Sequence, residues 1–318
     1  THMQVLHRVA VALFATLLSL GASTSASADK TKVGFIYIGP PGDHGWTYAH
    51  DQGRLQLEKE LGSQVETTFV EGVPEGPDAE RTIAKLAQTG HKLIFTTSFG
   101  YMEPTLKVAK RFPEVKFEHA TGYKRADNVS TYSARFYEGR YVQGVIAGQV
   151  SKSGVIGYIA SFPIPEVVRG INAFMLGAQT QNPNIKVKVV WVFTWYDPGK
   201  EADAAKVLMD QGADIITQHT DSTAALQAAA DRGIHAFGQA SDMIQFAPKN
   251  QLTANMNTWG PYYVARTKAV LDGSWKSQDT WDGMGAGMVV MAPFTNMSGD
   301  VAALAQKTYD DLRTGKLH

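Results

Sequence analysis

Trp46, in GPPGDHGWTYAHDQG, and Trp195, in FTWYDPGKE, each stand in a loop that follows an apolar run, with carboxylates and hydroxyls beside them. Two indole faces brought together from separate loops can clamp a planar ring, and an aromatic pair of this kind is worth about 0.5 to 1.5 kcal/mol beyond the area it buries. Asp43 and Thr47 beside the first indole and Tyr196 beside the second would then read the ring's edges. The alternative is that each tryptophan simply covers the end of a sheet. Residue type and spacing leave both readings open.

Other chemistries lack their residues. There is no cysteine, which removes thiol catalysis and Cys-zinc sites. The nine histidines contain no HExxH pattern or close ligand pairing, so His44, His50, His119 and His219 read as loop or supporting residues and no metal site is expected. No GxSxG elbow is present, nor a carboxylate cluster of the kind a nucleosidase sets around a metal or water. GMGAG at 283–287 is followed by no strand-loop-helix unit, so it is not a dinucleotide loop, and no cofactor is expected.

The elements that must position the tryptophans follow a repeated scheme. KVGFIYI, VETTFVE, KLIFTTS, VKFEHAT and VSTYSA alternate with helical segments up to about residue 134, the pattern of a parallel sheet covered on both faces. In the first helix Ala49, Gly53, Leu57 and Leu61 recur at four-residue spacing before Gly62. A second series, GVIGYIAS, KVKVVWVF, DIITQ and IHAFGQA, begins near Tyr137, with helices over 165–181, 197–211 and 222–232. Asp197 and Pro198 form a helix start, and Gly212 and Gly233 stand at helix ends. After residue 250 come the extended run QLTANMN, a helix over 259–272, GMVVMAP and a last helix.

At 318 residues two α/β lobes are expected rather than one. Ligands of open parallel sheets bind beyond the carboxyl ends of the strands. In facing lobes that rule selects Asp43, Trp46, Phe99, Tyr101, Thr121 and Tyr123 on one side. On the other it selects Phe162, Trp195, Tyr196, His219, Thr220, Asp221, Ser241 and Asp242, with Asn257 at the end of QLTANMN.

Thirty acids against thirty Lys plus Arg leave no charge excess to attract nucleic acid or anionic lipid. Residues 1–28 read as a cloning scar followed by a secretory signal peptide: His7 and Arg8, the apolar VAVALFATLLSL, then ASA ending at Ala28. The apolar run is too short for a membrane anchor, which takes about 20 residues. An exported chain without cysteine, and so without a lipid-modified N-terminal one, is expected in a bacterial periplasm, beginning near Asp29.

The segments WYDPGKEADAA, TTSFGYMEPTLKVAKRFPEVKF, FYEGRYVQGVIAG, QHTDS and GQASDM together resemble the basic membrane protein family of ABC-transporter substrate-binding proteins, purine nucleoside receptor type, over roughly residues 32–295. The resemblance implies a type I periplasmic binding fold: two doubly wound parallel-sheet lobes, a three-strand hinge, and closure on a ligand delivered to an inner-membrane permease. The lobes would comprise 29–134 plus 258–280 and 135–254 plus 284–318, hinged near 134–136, 254–258 and 280–286. Trp46 takes the aromatic position of the family's D-x-S-F-N motif and Thr47 that of its amide; Trp195 falls in the S-W-Y-D-P motif; Asp242 matches the acid set against ribose hydroxyls. Gly285 stands where the family's G-L-K-D-G carries a lysine that reaches the sugar, so the resemblance favours a bare purine, adenine first, over a nucleoside. It implies a monomeric receptor that performs no catalysis. A nucleoside-processing hydrolase or a sensor-type receptor on the same fold is the alternative. A repressor on this fold would need a helix-turn-helix headpiece in place of the leader.

Overall fold

The β-rich runs of the first half pair into one sheet and those of the second half into another. The structure, a computed structural model, describes residues 28–318; the expected leader, but for its last residue, lies outside them. The first sheet is built from β1 (Thr31–Ile36), β2 (Val65–Val70), β3 (His91–Thr96), β4 (Lys116–Ala120) and β5 (Val129–Ala134). With the late strand β11 (Asp279–Asp282) its order is β2-β1-β3-β4-β5-β11, every pairing parallel. The second sheet contains β6 (Val155–Ala160), β7 (Lys186–Trp191), β8 (Ile215–His219), β9 (His235–Ala240), β10 (Gln251–Asn257) and β12 (Val289–Met291). Its order is β7-β6-β8-β9-β10-β12, parallel except for the antiparallel edge pair β10–β12. This is the expected pair of doubly wound α/β lobes. The chain passes between the sheets three times: after Ala134, after Asn257 and after Asp282.

Helices α1 (Trp46–Leu61), α2 (Pro77–Gln88) and α3 (Met102–Arg111) connect strands of the first sheet; α5 (Pro165–Gln179), α6 (Pro198–Asp210) and α7 (Ala224–Asp231) connect those of the second. The four-residue stripe Ala49, Gly53, Leu57, Leu61 is the buried face of α1. Gly53 is needed because α8 (Gly260–Asp272) crosses there: a Cβ on Gly53 would stand 2.7 Å from the Tyr263 ring. Asp197 caps α6 by accepting from the Lys200 N–H at 3.0 Å, and Gly212 and Gly233 take left-handed conformations after α6 and α7. Gly62 ends α1 differently, with right-handed backbone.

Two buried polar clusters fix what hydrophobic burial leaves free. Glu118 on β4 is fully buried, and its carboxylate accepts from Arg266 Nε and Trp275 Nε1 at 2.8 Å and from Tyr262 OH at 2.5 Å. An unpaired charge there would be costly, so the cluster holds α8 to the first sheet. Helix α4 (Phe136–Val150) carries the buried Arg140, which donates to Gln218 O at 2.8 Å and Gln239 Oε1 at 2.6 Å and so joins the helix to β8 and β9. The last helix, α9 (Gly299–Arg313), packs on α4. Among the described residues no helix is long and apolar enough to cross a membrane.

Candidate functional site

The strand ends of the two lobes face one another and are in contact. Ser241 Oγ, after β9, donates to His44 O, in the loop after β1. The His44 ring packs edge-on against Phe246, centroids 4.8 Å apart. Gly45 lies so close to the opposite lobe that a Cβ on it would stand 2.2 Å from Asp221 O. Trp195 Nε1 donates across the cleft to Glu75 Oε1 at 3.2 Å.

Behind these contacts is a narrow cavity with about 280 Å³ of atom-free space, part of it open to solvent. The first lobe contributes Ile38, Trp46, Ser98, Phe99 and Thr121; the second contributes Glu166, Trp195, His219 and Asp221. Trp46 starts α1, and its ring is wedged edge-to-face among His50, Phe136 and Trp259, with Nε1 donating to Thr97 O at 2.7 Å. Trp195 is held more loosely, half-buried against Phe162 and His219. Both expected platforms therefore border one space from opposite lobes, though Trp46 is also core.

The electrostatics are acidic. Burial is the main force raising the Asp221 carboxyl well above the carboxylate range, reinforced by Asp43, Glu201, Glu166 and Glu75. Burial pushes Glu166 up to about 8, with Arg169 opposing it, and Asp43 up to about 7. Burial also lowers His219 well below its usual value, so its ring is neutral. Asp221 Oδ2 and His219 Nδ1 are buried without a hydrogen-bond partner in the protein. Buried polar atoms in native proteins are almost always satisfied, so such a pair beside a cavity marks where a ligand or water completes the bonding. Among the described residues no group of three His, Asp or Glu is placed to hold a metal ion.

Several expected contacts are engaged elsewhere. Asp43 accepts from the backbone N–H groups of Gly45, Thr47 and Tyr48 at 2.8, 3.1 and 2.9 Å; it caps α1 and does not line the cavity. Tyr101 is fully buried beneath α2 and α3 and donates to Val73 O at 2.5 Å, so it belongs to the core. Asp242 accepts from Ile244 N at 3.1 Å and Gln251 Nε2 at 2.7 Å, which fixes a turn after β9. Thr47 and Tyr196 lie against Gly39, behind the cavity wall, and Thr47 Oγ1 is buried without a partner. Asn257, the last residue of β10, is buried with both side-chain polar atoms unpartnered and is not in the cavity wall. Gly285 borders a different groove, with Arg135, Glu138 and Arg313, so it is not a sugar-facing position here. Glu138, beside it, accepts from the Met284 N–H, a structural role.

Ile38, Ser98 and Glu166 were not singled out by sequence. Ser98 and Ile38 each follow a strand by two residues, so the strand-end rule reaches them; Glu166, in the first turn of α5, carries no such signal.

Residues 30–310 match the family described as ABC transporter substrate-binding protein PnrA-like, and the chain belongs to that family. It is 68% identical over 299 residues to a purine-binding protein of Brucella abortus, covering 94% of this chain and 85% of that one. It is 38% identical over 293 residues to a putative ABC transporter glucose-binding protein of Haloferax volcanii, covering 92% and 74%. Among solved structures, a solute-binding protein of Aeropyrum pernix superposes with a TM-score of 0.77 at 20% identity, covering 91% and 92% of the two chains. One from Conexibacter woesei gives 0.72 at 22%, covering 91% and 98%. These structures support the fold alone.

Proposed function

We propose that this chain captures a purine base, adenine in preference to guanine and to nucleosides, between its lobes and presents it to a membrane permease. The observation that carries this reading is the narrow cavity bordered by Trp46 and Trp195, with Asp221 Oδ2 and His219 Nδ1 unpartnered beside them. A purine edge sets an exocyclic group next to a ring nitrogen, and a carboxyl beside a neutral imidazole can match both. Glu166 and Asp221, held protonated by burial, each offer an O–H donor beside a carbonyl acceptor, a pair that the amino group and adjacent ring nitrogen of adenine can match. The preference for a base over a nucleoside rests on the expected sugar partners: Asp242 is taken up by Ile244 N and Gln251, and Gly285 lies in another groove. The name of the Brucella relative supports the purine class.

The two lobes are assigned as 29–134 plus 258–280 and 135–254 plus 284–318, a division supported by the membership of the two sheets. Function is binding and closure without a chemical step, by a monomer in the periplasm. Calorimetric titration with adenine, adenosine, guanine, guanosine and glucose tests the reading. Adenine should bind at least tenfold more tightly than adenosine; adenosine binding tenfold tighter, or glucose alone binding, overturns it. Cell fractionation should find a soluble chain beginning near Asp29, and recovery with membranes after a salt wash contradicts the compartment.

A further inference from the structure

Glu75 lies outside both the cavity lining and the strand-end positions, in the segment between β2 and α2. One of its oxygens, Oε1, accepts from three donors: Ser98 Oγ at 2.6 Å, Gly100 N at 3.1 Å and Trp195 Nε1 at 3.2 Å. The first two come from its own lobe, in the loop after β3, and hold the carboxylate in place before the lobes meet. Gly100 makes room for it, since a Cβ there would stand 2.1 Å from the Glu75 carboxyl carbon. The third donor comes from the opposite lobe. An indole has a single N–H and no acceptor, so this is the one hydrogen bond Trp195 can donate. A bond to a carboxylate is roughly twice as strong as one between neutral groups.

We infer that Glu75 is a positioning residue: a carboxylate preset in the first lobe that takes the Trp195 indole N–H as the lobes close, fixing that ring over the cavity and latching the closed form. The inference rests on the reading that the cavity holds a planar ring on Trp195, but closure itself can be followed without it. Binding energy would then be divided between ring stacking, which any flat ligand supplies, and a latch that forms only when the cleft is shut. Loss of the latch should act on the dissociation rate and leave association nearly unchanged.

The test uses Glu75→Gln, Glu75→Ala, Trp195→Phe, which keeps a ring but has no N–H, and the Glu75→Gln/Trp195→Phe double variant. Adenine is the probe, with dissociation rates from stopped-flow fluorescence. Adenine should leave three- to tenfold faster from Glu75→Gln and from Trp195→Phe, and the double variant should be no worse than Trp195→Phe alone. Full additivity of the two effects would show that Glu75 acts through another group and would overturn the inference. Because the chain has no cysteine, spin labels at the exposed positions Lys85→Cys on α2 and Lys206→Cys on α6 report the distance across the cleft by pulsed dipolar spectroscopy. Glu75→Ala should lower the closed-distance population relative to the otherwise identical labelled protein, whatever ligand is present. An unchanged population overturns the latch. Absence of adenine binding to the unsubstituted protein overturns the ligand reading instead, and the distance measurement still decides the latch.

Discussion

At the scale of residues, the two tryptophans are not equivalent. Trp46 is 9% exposed and anchored by three aromatic neighbours and a hydrogen bond, whereas Trp195 is half-buried in a loop. Trp46→Ala should therefore cost about 3 to 5 kcal/mol of folding stability as well as binding, as large core truncations do. Trp195→Ala should weaken adenine binding by about 1 to 3 kcal/mol, the usual range for losing a stacking platform under a base, with little change in stability. Denaturant unfolding and calorimetry on both variants check this; equal stability losses would contradict the distinction. Both indoles, Phe99 and Asp221 were legible as cleft residues because position after a strand fixes which end of the sheet a residue occupies. It does not fix where the side chain points. Asp43, Tyr101 and Asp242 satisfy the positional rule, yet their polar atoms are consumed by backbone groups or by Gln251. Glu75 shows the converse, a residue whose use depends on a donor 120 positions away and has no local signature.

At the scale of elements, the loop into α1 sets how closely the lobes approach. Gly45 faces Asp221 O across the cleft, and backbone cannot yield to an added methyl group as a flexible side chain can. Gly45→Ala should leave each lobe folded and the melting temperature of the ligand-free protein unchanged, while lowering adenine affinity at least tenfold. Undiminished affinity would mean that the contact is not part of the bound state. Periodicity and capping residues made most elements readable: the buried stripe of α1, the Asp197 cap and the glycines after α6 and α7 are all local. The antiparallel turn of β12 and the seating of α8 were not readable, because they depend on distant partners. Arg266 reaches Glu118 across 148 positions of sequence.

At the scale of the whole molecule, closing the cleft brings acidic groups of both lobes together out of water. Asp43 comes from one lobe, Glu166, Glu201 and Asp221 from the other, with Tyr196 beside them. In the closed form burial lifts Asp43 to about 7 and Glu166 to about 8, and raises Asp221 well above the carboxylate range. Hydrated carboxyls in an open cleft would titrate near 4. A raised value means that the closed form binds protons more tightly, so closure takes up protons and is favoured by acid. Adenine affinity should therefore fall as pH rises from about 5 to about 8, by up to tenfold per pH unit for each proton taken up. Burial of His219 on closure lowers its pKa, which releases a proton below its usual value of about 6.5 and offsets part of this slope at the acid end. Titration calorimetry across that range, in buffers of different ionisation enthalpy, would report the proton uptake directly; a flat profile would show that the carboxyls stay hydrated on closure. The central claim, that a purine base is held between an indole from each lobe, is tested most directly by the crystal structure of the protein grown with adenine. The account predicts planar density between the Trp46 and Trp195 rings with one edge at Asp221 and His219, and it is contradicted by adenine bound outside this cavity or by a cavity that excludes it.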